Sequence, residues 1–522
     1  MNDRLKDIIA FFVLAIVAVM VNAAPYFLTG IPLKYNQSSD TLVHLVHWQE
    51  AASDYAGNFE ADEMFQQNQG WPTGQLFVNK VLVRIAEMLN IDFLSWSIFI
   101  SWCSLALFLS GVYALVFYTL RSRLLAFLIS LVSIVPVISL GLSSWGFFVR
   151  GFVPKELAVA ITVWLTILYF SGVLSGSKKK IAWFFVSLGF FSNWYPIVFF
   201  HYALLMMIVE VVRAKAIRKE HFFYGVIFLA AAPVALYDLF AKIGGFSPPD
   251  LSLIYAHYTW PLHSLEYLFA HYLRKQFVYA ALIGGLWYLY RKLLKKEYPS
   301  AFSVWYAMWW ASLGLSLVGV GIELFAPAYM KFLLPRVSVW FYFVSMVIVA
   351  YSAYEIYAIK FSVTRLKSVL FSFGLIVVLL GQTSVISAYK GVFNFNKNAE
   401  DYRDYIAAID ALNEHAPLKT ILLVYPDRQA SGIRAYGGYG VYVSSKDGNV
   451  TLVDGEAARK WKARYDETVA VFATKDYAKI KKFAINHGLT HLFYDIRDIE
   501  TKGDLERATF IRFGNYGLAE LK

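Results

Sequence analysis

Eight carboxylates lie in one loop of a chain that is otherwise dominated by apolar residues. The loop covers residues 31–92, and five of the eight are Asp40, Asp54, Glu60, Asp62 and Glu63. A carboxylate held near a membrane surface can act as a general base, taking a proton from a hydroxyl group. A chain that merely spans a bilayer has little use for such a loop. Its acidity therefore points to chemistry at the membrane surface.

Asp40 is the preferred candidate for the base. It follows Ser38-Ser39 and precedes the run Leu42–His47, a pattern that predicts a helix N-terminus. Capping that helix is the alternative role for its side chain, and the two roles are compatible. Asp62 and Glu63 are reserve candidates, because adjacent carboxylates near a Gly/Pro turn can line a cleft. More often such a run is a solvated loop.

One pattern in this loop could bind a metal ion. Asp40, His44 and His47 fall on one helical face, with Glu50 roughly in line. Imidazole and carboxylate groups at that spacing could hold a divalent cation. Any amphipathic helix at an interface can produce the same spacing, so no metal or other cofactor is assigned, and the sequence does not show whether a metal is needed. A divalent ion stays an open alternative.

Basic residues at the starts of two later apolar segments are candidates for binding a lipid phosphate. They are Arg150 and Lys155 before segment 157–176, and Lys331 and Arg336 before segment 337–358. Arginine grips a phosphate as a fork and lysine binds it as a point charge. Snorkelling, or pairing with a nearby glutamate, is the alternative.

His257 is a further candidate for contact with a phosphate. It lies with His263 and His271 in the loop between Gly244 and Gln276, which is rich in tyrosine and tryptophan. Such a loop could lie in the membrane interface. For each histidine taken singly, packing or surface exposure is the more common role.

Composition shows which elements must position these residues. Of 522 residues, 58% are hydrophobic and 16% are charged, with a mean hydropathy of +0.49. Soluble domains contain about 25% charged residues, so the chain is predicted to be a polytopic membrane protein. The net charge of +11 comes from short basic clusters between apolar runs, a distribution that does not favour nucleic-acid binding. With one cysteine, Cys103, no intrachain disulfide can form.

About eleven transmembrane helices are predicted, since about 20 apolar residues cross the hydrocarbon. The predicted spans are 8–28, 93–120, 124–141, 157–176, 181–194, 197–212, 222–241, 276–290, 301–325, 337–358 and 368–389. The fifth and sixth meet at Asn193-Trp194-Tyr195-Pro196 and could instead be one broken helix. Keeping them separate places at least two positive residues in every inner loop, as the positive-inside rule demands.

This topology predicts a cytoplasmic N-terminus and puts the acidic loop outside. Residues 1–390 then form the transmembrane domain, and residues 391–522 a soluble extracytoplasmic α/β domain. Within the latter, a helix is expected at Ala399–Asn413, a strand at Thr420–Tyr425 and a helix at Ala457–Asp466. Further elements are expected at Val469–Ala473, Ala478–His487 and His491–Tyr494. Their alternation favours a partly parallel sheet.

No P-loop, dinucleotide fingerprint, nucleophile elbow or HExxH motif occurs in the sequence. The layout instead resembles the GT-C class of membrane glycosyltransferases, which take a sugar from a polyprenyl- or dolichyl-phosphate carrier. The resemblance is carried by the acidic first loop with Asp40, the segment Val153–Ala158, the Asn193–Pro196 hairpin and Arg336. A soluble last domain completes it, and Glu456–Arg464 looks like the W-x-x-R segment of some uncharacterised bacterial relatives.

The resemblance implies a glycosyltransferase of the inner or plasma membrane that works on the outer face. The sugar would pass from a lipid-linked donor to a glycan, lipid or protein acceptor, with Asp40 as base. Arg336, with Arg150 or Lys155, would hold the phosphate leaving group and so stabilise the charge that develops on it. The alternative is a non-catalytic scaffold, or a glycan or lipid transporter, in envelope assembly. The sugar and the acceptor cannot be named from the sequence.

Overall fold

Apolar helices and a small sheet make up the fold of this protein. The computed structural model describes residues 3–35, 39–52, 58–67, 72–135, 137–138, 144–145, 151–242, 250, 252–254, 274–294, 300–325, 334–360, 364–381, 399–417, 419–452, 454–500 and 502–521. The helices as far as the middle of the chain are α1 (Asp3–Thr29), α2 (Ser39–Ala51), α3 (Glu63–Gln67), α4 (Thr73–Met88), α5 (Phe93–Leu120), α6 (Arg123–Val132), α7 (Pro154–Ser175), α8 (Lys178–Ser192), α9 (Pro196–Ala214), α10 (Lys219–Ala230) and α11 (Pro233–Tyr237).

The second half of the chain contains four further long helices and then the C-terminal domain. The long helices are α12 (Arg274–Leu294), α13 (Ser300–Phe325), α14 (Ser338–Lys360) and α15 (Arg365–Gly381). The helices of the C-terminal domain are α16 (Ala399–His415), α17 (Arg428–Gly432), α18 (Gly455–Ala473), α19 (Tyr477–Asn486) and α20 (Lys502–Ala508). The strands of the whole chain are β1 (Val137–Ile138), β2 (Ser144–Trp145), β3 (Ile421–Leu423), β4 (Gly440–Val441), β5 (His491–Asp495), β6 (Thr509–Phe513) and β7 (Tyr516–Glu520).

The chain is a multi-pass membrane protein. In the described part, six helices are long and apolar enough to cross a bilayer, and the bent pair α10–α11 makes a seventh if it is one span. The six spans lie in α1, α5, α7, α9, α13 and the region of α14. Helices also occupy the other predicted positions. However, α6, α8 and α15 are short and α12 is less apolar, so the number eleven stays a prediction.

Two predicted spans differ in detail from the structure. The helix expected at 124–141 ends at Val132, and β1 and β2 then pair as a short antiparallel ribbon. Pro136 in the sequence accounts for the early end, because proline disfavours helical geometry in the residue before it. The helix expected at 222–241 bends by 81° between Ala230 and Pro233. Proline lacks the N–H that would continue the hydrogen-bond ladder.

The segment Asn193–Pro196 joins two separate helices. α8 ends at Ser192, α9 begins at Pro196, and the two pack against each other. Pro196 suits the first position of a new helix, where its missing N–H costs nothing. The single broken helix that the sequence left open is therefore not formed.

Helices α5, α7, α9 and α14 begin at one end of the bundle, here called the loop end. Phe152, just before α7, donates its N–H to Ser97 Oγ near the start of α5 at 3.3 Å. Tyr202 in the second turn of α9 packs on Trp340 near the start of α14, with ring centroids 4.3 Å apart. The acidic loop leads into α5, so it also lies at this end.

A mixed sheet organises the C-terminal domain at the loop end. The strand order is β4-β3-β5-β7-β6, with β3 parallel to β4 and β5, and β7 antiparallel to β5 and β6. The partly parallel sheet is thus confirmed, as are the helix at α16 and the strand at β3. The separate element expected at Val469–Ala473 is wrong, because α18 runs without interruption to Ala473. The hairpin β6–β7 was not predicted.

The acidic loop and the C-terminal domain share one hydrophobic core. Trp48 and Phe59 of the loop are fully buried in the same cluster as Ile409, Tyr439 and Phe493 of the domain. The predicted boundary near residue 390 separates the two in sequence. In space, however, residues of the loop complete the core of the domain.

Candidate functional site: a basic recess where three helices begin

A recess opens at the loop end, between the first turns of α7, α9 and α14. Lys155 is the second residue of α7, His201 lies in the second turn of α9, and Arg336 sits in the 3₁₀ turn Leu334–Val337 that leads into α14. The unpaired N–H groups of a helix N-terminus carry partial positive charge. Three such ends therefore add to the positive potential of Lys155 and Arg336.

Aromatic and aliphatic side chains complete the recess. The other residues that line it are Val159, Tyr195, Ile197, Val198, Val337, Val339 and Trp340. The enclosed cavity is small, about 30 Å³, which is room for one or two water-sized groups. Among the described residues that line it, none is acidic. An anionic group that enters the recess meets basic side chains backed by apolar walls.

A close helix contact fixes the turn that carries Arg336. At Gly319 in α13, a Cβ atom would lie 2.8 Å from Pro335 N and 3.0 Å from Pro335 Cδ. Those distances are shorter than real Cβ contacts, so only glycine lets α13 approach the turn this closely. Behind the recess, Tyr202 also hydrogen-bonds Thr166 of α7, which ties α7, α9 and α14 together.

Asn193 connects the acidic loop to the recess. Its side-chain oxygen accepts the N–H groups of Val234 and Ala235 at 2.9 and 3.2 Å, and so caps the start of α11. At Gly74 in α4, a Cβ atom would overlap the backbone oxygen of Asn193, so the two backbones touch. Tyr195, two residues after Asn193, lines the recess. A shift of α4 would therefore move Asn193, and with it Tyr195 in the wall of the recess.

Asp62 belongs to a different arrangement, a buried ion triad with Arg434 and Asp447. Arg434 donates to Asp62 through Nε at 2.8 Å and Nη2 at 2.9 Å, and to Asp447 through Nη1 at 2.6 Å. The exposed fractions of Asp62, Arg434 and Asp447 are 1%, 4% and 4%. Asp62 also accepts the backbone N–H groups of Phe65 and Val441, both at 3.0 Å. Its oxygens are thus occupied by the domain that it anchors.

The electrostatics of the triad reflect its burial. Burial raises the pKa of Asp62, with the positive charge of Arg434 acting in the opposite direction. Burial alone would lower the pKa of Arg434, but the negative charges of Asp447 and Asp62 outweigh it and raise that pKa. Arg434 therefore stays charged. This geometry favours a structural role for Asp62 over that of a base.

Glu63 also joins the acidic loop to the C-terminal domain. It accepts from Lys460 and Arg464 of α18, both of them in the segment Glu456–Arg464. Trp461 of that segment is buried and donates its Nε1–H to the Ser444 carbonyl at 3.0 Å. The W-x-x-R pattern thus anchors α18 through Trp461 and binds the acidic loop through Arg464.

The other predicted site residues are placed only in part. Asp40 is the second residue of α2, which begins at Ser39 as predicted, but its side chain lies outside the described residues. Arg150, His257 and Lys331 also lie outside the described residues. Of the predicted phosphate-binding residues, the structure brings Lys155 and Arg336 to one recess.

The described residues contain no group of three or more His, Cys, Asp or Glu side chains that could hold a metal ion. His44 instead lies 3.3 Å from the Gln75 amide of α4, through Nδ1. His47 Nδ1 is 3.8 Å from Glu50 on the same helix. Because the Asp40 side chain is not described, its place in such a group stays a prediction.

Sequence reasoning missed His201, Tyr195 and Trp340, which complete the recess, and Arg434, which holds Asp62. His201 lies five residues after Pro196, so a search for polar residues in the first turns of apolar helices would have found it. No local signal marks Arg434. Its partner Asp62 lies 372 residues earlier in the chain.

No protein-family model and no curated protein matches the chain. Among solved structures, the chain is similar to the archaeal oligosaccharyltransferase AglB from Archaeoglobus fulgidus, determined in complex with an inhibitory peptide and a dolichol-phosphate. The identity is 11% and the TM-score is 0.49, over 94% of this chain and 69% of that chain.

Proposed function

We propose that the protein is a membrane glycosyltransferase whose basic recess binds the phosphate of a lipid-linked sugar donor. The convergence of Lys155, His201 and Arg336 on one recess carries the proposal. A phosphate near a membrane surface is an anion joined to an apolar chain. The basic side chains and helix N-termini suit the former, and the apolar walls suit the latter.

The proposed reaction is a displacement at the anomeric carbon of the donor sugar. The acceptor oxygen attacks the anomeric carbon of the donor sugar, and the bond between that carbon and the phosphate oxygen breaks. The electron pair leaves with the phosphate, where Arg336 and Lys155 stabilise the added negative charge. Asp40 takes the proton of the acceptor hydroxyl, and attack from the face opposite the phosphate inverts the anomeric centre.

The proposed topology puts the recess outside the cytoplasm. Basic clusters lie at the end of the bundle opposite the loop, including Arg121 and Arg123, Lys178–Lys180, Arg213 and Arg291. Positive residues favour the cytoplasmic side of a membrane. The recess and the C-terminal domain would then face the outer side of the inner or plasma membrane. The acceptor would be a glycan, a lipid or a protein.

Binding of an isoprenyl monophosphate tests the recess. The purified full-length protein in nanodiscs is titrated with farnesyl phosphate, and Arg336→Ala and Lys155→Ala are compared with Lys179→Ala. Lys179 is an exposed cation at the opposite end of the bundle, so it serves as the matched control. The recess variants should bind more weakly and the control should bind normally. Equal affinity in all three would refute the recess as the phosphate site.

Envelope glycans test the reaction itself. Cells that express Asp40→Asn or Arg336→Ala should lack a glycan or glycolipid product at unchanged protein level. Glu60→Gln, an exposed carboxylate of the same loop, should retain it. If mass spectrometry shows the product intact in Asp40→Asn and Arg336→Ala cells, the protein is not the transferase proposed here. A role as a scaffold or transporter would then be favoured.

A further inference from the structure

The bend between α10 and α11 leaves backbone groups without partners in their own helices. α10 ends at Ala230, α11 begins at Pro233, and the two helices are bent by 81°. The last carbonyls of one helix and the first N–H groups of the next lack the partners that a continuous helix supplies. At a break within a membrane segment, such groups need partners from elsewhere in the protein.

One side chain of the α8–α9 hairpin supplies several of these partners. Asn193 Nδ2 donates to the Ala231 carbonyl at 2.8 Å. Its Oδ1 accepts the N–H groups of Val234 and Ala235 at 2.9 and 3.2 Å. Nδ2 also donates to the Phe190 carbonyl of its own hairpin at 3.0 Å. An asparagine amide has two donors and two acceptor sites, so these bonds use its full capacity. Asn193 therefore joins the two sides of the bend.

A close backbone contact brings Asn193 to the bend. At Gly189 in α8, a Cβ atom would lie 2.3 Å from the Phe228 carbonyl oxygen and 2.8 Å from the Ala231 Cβ. Only glycine lets α8 and α10 approach this closely. Asn193 follows Gly189 by four residues, so it lies on the same side of α8, one turn further along. The hairpin thus presents its amide to the break.

Helix α11 connects the bend to the acidic loop. Asp238, which directly follows α11 and is 6% exposed, accepts the N–H of Thr73 at 2.7 Å and the Thr73 hydroxyl at 2.5 Å. The next residue, Gly74, lies against the carbonyl of Asn193. The start of α4 is therefore held on two sides, by the segment after α11 and by the backbone of Asn193.

Helix α4 in turn contacts the helix that carries Asp40. The buried Gln75 amide of α4 lies 3.3 Å from His44 Nδ1 of α2, and Asp40 is one turn before His44 in the same helix. On the other side of Asn193, Tyr195 lines the basic recess. The contacts of one asparagine therefore join the helix of the proposed base to the proposed phosphate site.

We infer that Asn193 is a positioning residue, whose side-chain amide holds the α10–α11 bend and thereby fixes α4 and the acidic loop relative to the basic recess. Its importance for catalysis rests on the proposed function, whereas the placement of α4 does not. Leucine has the branched shape of asparagine without its hydrogen-bonding groups. Asn193→Leu leaves the partners at the bend unpaired, so α11 and the start of α4 should move.

The distance between two spin labels reports the position of α4. Phe77→Cys on α4 and Lys179→Cys at the start of α8 are labelled in the full-length protein in nanodiscs, with Cys103→Ser to remove the single native cysteine. Both labelled positions are exposed, and the 15 residues of α8 alone span about 22 Å, a length that double electron–electron resonance measures. Asn193→Leu is compared with Asn22→Leu, a partly buried amide that donates within its own helix α1.

Asn193→Leu should shift or broaden the label distance by several ångströms, and Asn22→Leu should match the parent protein. Farnesyl phosphate should lose far less affinity in Asn193→Leu than in Arg336→Ala, because the Asn193 side chain does not line the recess. The envelope product that Arg336→Ala removes should nevertheless fall about 100-fold, since a misplacement of about 1 Å can reduce a rate by that factor.

An unchanged label distance would overturn the inference, and so would a shifted α4 with the product retained. A loss of farnesyl phosphate affinity as large as that in Arg336→Ala would also overturn it, since Asn193 would then shape the recess itself. If Asn193→Leu does not fold, Asp238→Ala breaks the next contact and should give the same shift at position 77. Failure of the proposed function is distinct: the parent protein would not bind farnesyl phosphate, while the label distance would still respond to Asn193→Leu.

Discussion

Two arginines at the loop end stand in opposite surroundings. Arg434 is buried and bonded to two carboxylates, so its charge is balanced inside the protein. Arg336 lines a recess with Lys155 and His201, and no acidic residue is among the described residues that line it with them. The two carboxylates around Arg434 balance its charge inside the protein, whereas the described residues that line the recess with Arg336 are basic or uncharged. Charge alone therefore does not mark a site.

Removing the buried charge should have the largest effect. Arg434→Met leaves Asp62 and Asp447 buried side by side, and breaking a buried ion pair costs about 3–5 kcal/mol. Thermal unfolding of the detergent-purified protein should show a markedly lower Tm. The triple variant Asp62→Asn/Arg434→Met/Asp447→Asn should recover part of the loss, because it removes the uncompensated charges. A Tm unchanged in Arg434→Met would contradict the structural role.

Removing the recess charge should weaken binding and leave the fold intact. A hydrogen bond to a charged group contributes about 1.5–3 kcal/mol, so Arg336→Ala should weaken farnesyl phosphate binding by roughly 10- to 150-fold. Its Tm without ligand should match that of the parent protein. If Arg336→Ala lowers the Tm as much as Arg434→Met does, both arginines stabilise the fold, and the difference in role between them is refuted.

A change that adds one methyl group should disturb the recess without altering its charge. In Gly319→Ala the new Cβ meets the backbone at Pro335, and overpacking of this kind costs about 1–3 kcal/mol. The turn with Arg336 must shift, so farnesyl phosphate should bind more weakly. Gly321→Ala in the same helix is the control, since nothing lies within 4 Å of its added Cβ. Equal affinities for the two variants would show that the turn does not depend on this contact.

The ion pairs of Glu63, one with exposed Lys460 and one with the partly buried Arg464, should contribute least. Glu63 and Lys460 are 43% and 42% exposed, and such surface pairs contribute about 0–1 kcal/mol. Glu63→Gln should therefore change the Tm only slightly, even though Glu63 is adjacent to Asp62. A drop in Tm as large as that of Arg434→Met would mean that water screens these ion pairs far less than their exposure indicates.

Local patterns in the sequence predicted much of the fold. The apolar runs gave a helix at each predicted position, and serine with aspartate before an apolar run predicted the start of α2. Lys155 and Arg336 were found because basic residues at the predicted outer ends of spans run against the positive-inside rule. Contacts between residues that lie far apart in the sequence could not be predicted from local patterns. Asp62 became a catalytic candidate because nothing near it in the sequence reveals Arg434. The hairpin β6–β7 was missed because Phe510 and Phe513 of β6 are exposed, so β6 does not alternate cleanly between apolar and polar residues.

The shared core of the acidic loop and the last domain has a consequence for biosynthesis. Asp62 leaves the ribosome 372 residues before Arg434, and a chain grows at about 5–20 residues per second. The loop therefore waits roughly 20–70 seconds with Trp48 and Phe59 uncovered while the remaining helices enter the membrane. A chain that stops before α17 never acquires the partner of Asp62. The acidic loop can thus reach its final packing only after Arg434 has been synthesised.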